Sequence, residues 1–128
     1  MDMNKMTEKS QQAILGAQEI AVRMGHQEVE VEHLALALVR QEGGLTPRLL
    51  DKAGVAPAAY DHALEEELRK KPSVSGPGAD AGRVGLTNRV HQLLLRAQDA
   101  ATRMKDEFLS VEHIFCEIAK EPASTPAG

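Results

Sequence analysis

The stretch from Thr7 to Arg40 is written twice in this chain. Displaced by 87 − 7 = 80 positions it falls on Thr87–Lys120 without a gap, and 11 of the 34 aligned positions are identical. The matches include Thr7/Thr87, Ala17/Ala97, Ala21/Ala101, Met24/Met104 and the run Val31-Glu32-His33 against Val111-Glu112-His113. Unrelated segments of this length share roughly two identities at average residue frequencies. A repeated unit this small cannot bury its apolar face alone, so the two copies are expected to pack around one interior.

Composition decides what that interior is made of. Apolar residues are 42% of the 128 but aromatic ones only 2%, so Leu, Ala, Val, Ile and Met must fill the core. That mixture, with many Glu, Lys and Arg, favours helices, and an all-α fold is expected. The net charge of −4 and the absence of a basic cluster beyond Arg69-Lys70-Lys71 argue against a nucleic-acid surface or an anionic membrane. No apolar run reaches the length of a membrane span. The single cysteine, Cys116, forbids an internal disulfide and suits a reducing cytoplasm.

Taken in order, Thr7 is placed to cap a helix whose stripe is Ile14, Ala17, Ala21 and Met24, with Gly25 stopping it. A second helix is expected from Val31 to Gly43-Gly44. Thr46-Pro47 reads as a capping hydroxyl followed by proline at the first helical position, and Pro57 opens a fourth helix that runs to Arg69-Lys70. Residues 71–86, rich in Gly and Pro, read as an irregular linker between repeat one (7–70) and repeat two (87–120). Copy two then repeats the first helix pair, with Ser110 a better cap than Glu30. Positions matching Glu42–Lys70 would fall at 122–150, so repeat two lacks the counterpart of the final helix pair and the chain reads as a fragment.

The polar residues form no catalytic constellation. His26 and His33 are seven apart, and no zinc-type spacing occurs. His33 and His113, at matching helix entrances, read as hydrogen-bonding residues there. Cys116 aligns with Leu36 and reads as a small core residue. The triplet Leu93-Leu94-Leu95 covers about 200° of a helix, more than one core stripe requires, and its remainder is expected to edge an apolar groove. The glycines of the linker lack the sequence of a nucleotide-phosphate loop.

The repeat, the segments Val31-Glu32-His33-Leu34 and Lys105–His113, Arg48-Leu49-Leu50 with Ala53-Gly54, and the Pro72–Gly78 connection together resemble the N-terminal repeat domain of the Clp family of AAA+ unfoldases, nearest to the ClpB disaggregase type. The resemblance implies two helical repeats about a pseudo-twofold axis and a non-catalytic module that recognises unfolded or aggregated polypeptide. It implies Thr7, Asp106 and Glu112 as polypeptide-binding residues, with Leu94 as a groove candidate, and no metal. It also implies a parent that is a homo-hexameric, cytoplasmic ATPase using ATP and magnesium, with no cofactor in this chain. Two alternatives stay open: an adaptor-docking domain of a ClpC- or ClpA-like unfoldase, and a free-standing helical scaffold.

Overall fold

Each copy opens with a threonine whose side chain turns back onto the helix it starts. The computed structural model describes residues 5–41, 43–71 and 84–120. In it α1 runs Glu8–Arg23, and Thr7 Oγ1 accepts the Ser10 amide at 3.2 Å. The matching helix α5 runs Asn88–Arg103, and Thr87 Oγ1 accepts the Val90 amide at 3.3 Å. Both helices end one residue before a methionine followed by a left-handed residue, Gly25 at φ 73° and Lys105 at φ 61°. Glycine adopts that conformation freely, whereas lysine is strained there.

The second helix of each copy is α2, Val31–Arg40, matched by α6, Val111–Ala119. Two further helices belong to copy one, α3 at Thr46–Lys52 and α4 at Pro57–Arg69. Pro57 stands in the first turn of α4, where its missing amide hydrogen costs nothing. The capping role expected of Thr46 is not found. Leu45 occupies the cap position, and Thr46 lies inside α3 with a buried hydroxyl that has no hydrogen-bond partner among the described residues.

The copies hold each other by exchange. A short strand β1, Glu28–Val29, pairs in parallel with β2, Gly85–Leu86, so the end of the expected linker is ordered strand. The rest of that linker, 72–83, lies outside the described residues, as do Pro122 and Pro126. The equivalent pairing in the other direction is a bridge between Met6 and Leu109. The Thr87 amide donates to the Val29 carbonyl at 3.1 Å, and the Thr7 amide donates to the Leu109 carbonyl at 2.9 Å. In both cases the segment entering one copy's first helix is bonded to the segment entering the other copy's second helix.

One apolar cluster joins both copies, as the repeat requires. Ala13, Ile14, Ala17 and Ala21 of α1 meet Leu34, Ala35 and Leu38 of α2, and Val90, Leu93, Leu94 and Ala97 of α5 meet Ile114, Phe115 and Ile118 of α6. Alanines at matching places let the paired helices approach closely without aromatic filling. Leu64 and Leu68 bring α4 onto the same core. On its outer side Arg40 of α2 forks onto Asp61 at 2.8 and 2.9 Å and reaches Glu65 at 3.3 Å. The acidic run Glu65-Glu66-Glu67 is a solvated face, met by Arg69 and Lys70 of the same helix.

Candidate functional site

At the entrance of α2 the amide of Glu30 donates to His33 Nδ1 at 2.8 Å, while the Glu30 side chain accepts the His33 amide. This is a capping box with histidine in the third helical position rather than glutamate. With Nδ1 accepting, the proton of a neutral ring sits on Nε2 and is donated to His26 Nδ1, 2.7 Å away. His26 in turn hydrogen-bonds the backbone of Leu68, at the end of α4. Burial, then the neighbouring His26 and Lys71, pull the His33 imidazole down to about 4. Burial first, then Lys71, lowers His26 as well.

Copy two builds the same entrance with other side chains. The Ser110 amide donates to His113 Nδ1 at 2.9 Å, and His113 Nε2 donates to Asp106 Oδ2 at 2.9 Å. Thus Ser110 stands for Glu30 and Asp106 for His26, and both caps close a box, so Glu30 is the better cap than its type suggested. Ser110, His113 and Asp106 have the composition of a hydrolytic triad, but the hydroxyl contacts Nδ1, whose single lone pair already takes the Ser110 amide. Among the described residues no general base faces it, and copy one repeats the geometry with Glu30 in place of the serine. The array locks a helix entrance.

The copies differ in what lies on these entrances. In copy one α4 covers Leu36, His26 and Glu32, all buried. Its Tyr60 phenol is pushed up to about 12, by burial and then by the Glu32 carboxylate. Burial raises Glu32, opposed mainly by Arg89, whose guanidinium lies 3.5 Å from it. The matching residues Cys116, Asp106 and Glu112 of copy two are exposed, and Met104 is 65% exposed where Met24 is partly buried. The core position expected for Cys116 is therefore overturned: nothing among the described residues plays the part of α4 over it.

What results is a groove of about 620 Å³ floored by Ala100, Met104, Phe108 and Cys116, with Asp106, Glu107, Glu112 and Glu117 around it and Lys120 at one end. Phe108 is 45% exposed there, an aromatic side chain held out by the loop between α5 and α6. Glu117 is buried but paired, with Arg96 at 3.3 Å and Lys120 at 3.0 Å. Among the described residues no three His, Cys, Asp or Glu side chains are grouped to hold a metal, and no helix is long and apolar enough to cross a membrane.

The four residues singled out from the sequence part company here. Asp106 and Glu112 line the groove together. Thr7 does not line it, and its hydroxyl is engaged with Ser10, but its amide holds the Leu109 carbonyl beside Ser110. Leu94 is only 2% exposed and packs in the core, because Val90, Leu93, Leu94, Ala97 and Ala101 form the inward stripe of α5. Leu95 is the leucine that reaches the surface, at 56%, and its counterpart Leu15 is at 54%. Met104, Phe108 and Cys116 escaped the sequence reading: Met104 and Cys116 match the covered Met24 and Leu36 and lack such a cover among the described residues, while Phe108 stands where copy one has the exposed Glu28.

Comparison with known proteins gives the geometry its relatives. The chain is 60% identical over its whole length to the chaperone protein ClpB of Nitratidesulfovibrio vulgaris, of which it spans 15%. It is 42% identical over 121 residues to the ClpB of Bacillus cereus, covering 94% of this chain and 14% of that protein. Among solved structures, the Hsp104 N-terminal domain of Candida albicans aligns with a TM-score of 0.78 at 18% identity, over 91% of this chain and 75% of that one. The N-terminal domain of the ClpV1 ATPase of enteroaggregative E. coli aligns at 0.79 and 22%, over 95% and 72%. At these identities the two structures speak for the fold alone. The profile of the Clp repeat (R) N-terminal domain matches residues 5–127, and the chain belongs to that family.

Proposed function

We propose that this chain is the polypeptide-recognition domain of a ClpB-like chaperone, holding unfolded or aggregated chains for delivery to an ATP-driven ring. The observation that carries this reading is the apolar, acid-edged groove that copy two presents among the described residues. Met104, Phe108 and Cys116 offer apolar surface, and the Asp106 and Glu112 carboxylates at its edge accept hydrogen bonds from client amides or basic side chains. Thr7 acts at one remove, fixing the loop that carries Asp106 through its bond to Leu109. Leu94 supports α5 from inside the core. The chain does no catalysis in this reading; ATP and magnesium belong to the hexameric, cytoplasmic parent.

The test is fluorescence anisotropy with a permanently unfolded probe, reduced and carboxymethylated α-lactalbumin. The chain is expected to bind it weakly. Phe108→Ser, by losing apolar contact, and Asp106→Asn combined with Glu112→Gln, by losing a charge-assisted hydrogen bond, should each weaken binding about tenfold. Phe108 is exposed, and asparagine at 106 keeps an oxygen that accepts the His113 Nε2 proton, so both folds should survive. Undiminished binding by both would move the site elsewhere. A parent chain that ignores unfolded probes yet retains a folded protein would instead favour docking of an adaptor.

A further inference from the structure

Copy one buries a pair of imidazoles that the proposed binding does not use. From it we infer a conformational device: α4 is a cover that acid lifts, baring Leu36 and Glu32 of α2. The device holds whatever the chain binds, because it follows from where the hydrogens of the pair must sit. His33 Nδ1 accepts the Glu30 amide, so its proton lies on Nε2 and is donated to His26 Nδ1 at 2.7 Å. That leaves His26 Nε2–H to donate to the Leu68 carbonyl, which also accepts the Lys71 amide at 3.1 Å. A directed chain of neutral rings thus ties the entrance of α2 to the last turn of α4.

Such a chain has no place for another proton. Added to either ring, it sets two N–H groups face to face, against Glu30 or between the rings, and the rings must part. His33 is fully buried and His26 lies under α4, so the room to part is on the side that α4 closes. Copy two meets the matching ring with acceptors instead. Asp106 Oδ2 takes the His113 Nε2 proton, and Ser110 Oγ stands 3.0 Å from Nδ1.

The charges around the pair point the same way. Just past α4, Lys71 acts on both rings and discourages a positive charge. Glu30 and Glu32 of the α2 entrance face Arg89 of α5 at 3.9 and 3.5 Å, and Glu67 of α4 is held by Lys70 at 3.0 Å. Two groups oppose the device. The Leu68 carbonyl, at the negative end of α4, favours charge on His26, but burial and Lys71 outweigh it. Burial also raises Glu32, so lifting α4 releases a proton there. Tyr60 of α4, pushed up to about 12, stays neutral throughout. α4 itself is lightly held: Leu64 and Leu68 are its buried side chains, and no side chain caps its first turn.

Hydrogen exchange of the 128-residue chain at pH 7.5 and 5.5, corrected for intrinsic rates, tests this. The lifted form holds an imidazole of ordinary affinity, near 6.5, and binds more protons below that value. Lifting is therefore favoured about tenfold more at pH 5.5 than at pH 7.5. Peptides from α4 and from 26–36 should lose protection by that factor, and those from α5 and α6 should keep theirs. In His26→Asp, whose carboxylate accepts the His33 proton, the pH response of α4 should vanish, even where its protection at pH 7.5 is lower. A second readout places a thiol under the cover. In Leu36→Cys, maleimide modification of residue 36 relative to the exposed Cys116 of the same molecule should rise about tenfold over the same step, the reference thiol cancelling the reagent's own pH dependence. Unchanged protection of α4 at pH 5.5, a loss shared equally by all the described helices, or an undiminished response in His26→Asp each overturns the device.

Discussion

Acid should loosen copy one before copy two, and the reason is the His26–His33 pair. His33 takes up a proton near pH 6.5 when unfolded and near 4 when folded. Between those values the unfolded chain binds more protons, so stability falls as pH falls through the window, and above it the group contributes no slope. From a shift of 6.5 to about 4, the loss is about 2 kcal/mol by pH 5. The geometry says why: a second ring proton on His33 Nδ1 would face the Glu30 amide, donor against donor, and one on His26 Nδ1 would face His33 Nε2–H. Lys71 adds positive charge nearby, while Glu30 and Glu32 of the same helix entrance are engaged by Arg89. Substituting His26→Asp installs copy two's arrangement, in which a carboxylate accepts the Nε2 proton. The variant gives up the bond to Leu68, about 1 kcal/mol near neutral pH, and recovers more than that in acid. Urea unfolding followed by circular dichroism should therefore give stability curves that cross, parent above variant at about pH 7.5 and below it at about pH 5. Other carboxylates titrate in both proteins and cancel in the difference. Parallel curves would refute the assignment of the acid sensitivity to this pair.

Three further outcomes are expected. Lys105→Gly should raise stability by about 0.5–1 kcal/mol by relieving a left-handed lysine, whereas Gly25→Ala at the matching place should lower it by about 1 kcal/mol, both read from thermal unfolding. Arg89→Ala should cost about 2 kcal/mol by stranding the buried Glu32 carboxylate, and adding Glu32→Gln should recover most of it in a double-mutant cycle. Leu68→Ala should cost about 2–5 kcal/mol in urea unfolding and, by loosening α4, increase the hydrogen exchange of the α2 entrance more than that of the α6 entrance.

The helices of this fold were legible because their signals are local. Threonine caps, a glycine stop and leucine-alanine stripes at spacings of three and four name α1, α2, α5 and α6 with little reference to anything distant. What failed to show was set by contacts far apart in sequence. Cys116 has the neighbours of a core residue and becomes surface only because α4 has no counterpart over it among the described residues. Leu94 lies in a run of three leucines, and spacing gives the width of that arc but not its centre; the inward direction is fixed by Val90 and Ala97. The strands β1 and β2 are two residues each, one of them opening on glycine, so no alternation announces them. Glu30 caps better than its residue type implies because its capping box uses histidine at the third position, a pairing ordinary cap preferences do not weigh. Of the site, Asp106 and Glu112 came from family likeness, and the apolar floor between them only from coordinates.

The crossed strand contacts have a consequence for what a half of this molecule would be. Neither half owns the backbone partner of its own helix entrance; each borrows it from its twin through the Thr7–Leu109 and Thr87–Val29 bonds. A severed chain, cut anywhere in 72–83, should thus reassemble from its two pieces rather than yield two small folded ones. By the same logic the covalent link makes the two copies a private dimer, in which neither half has to search for its mate.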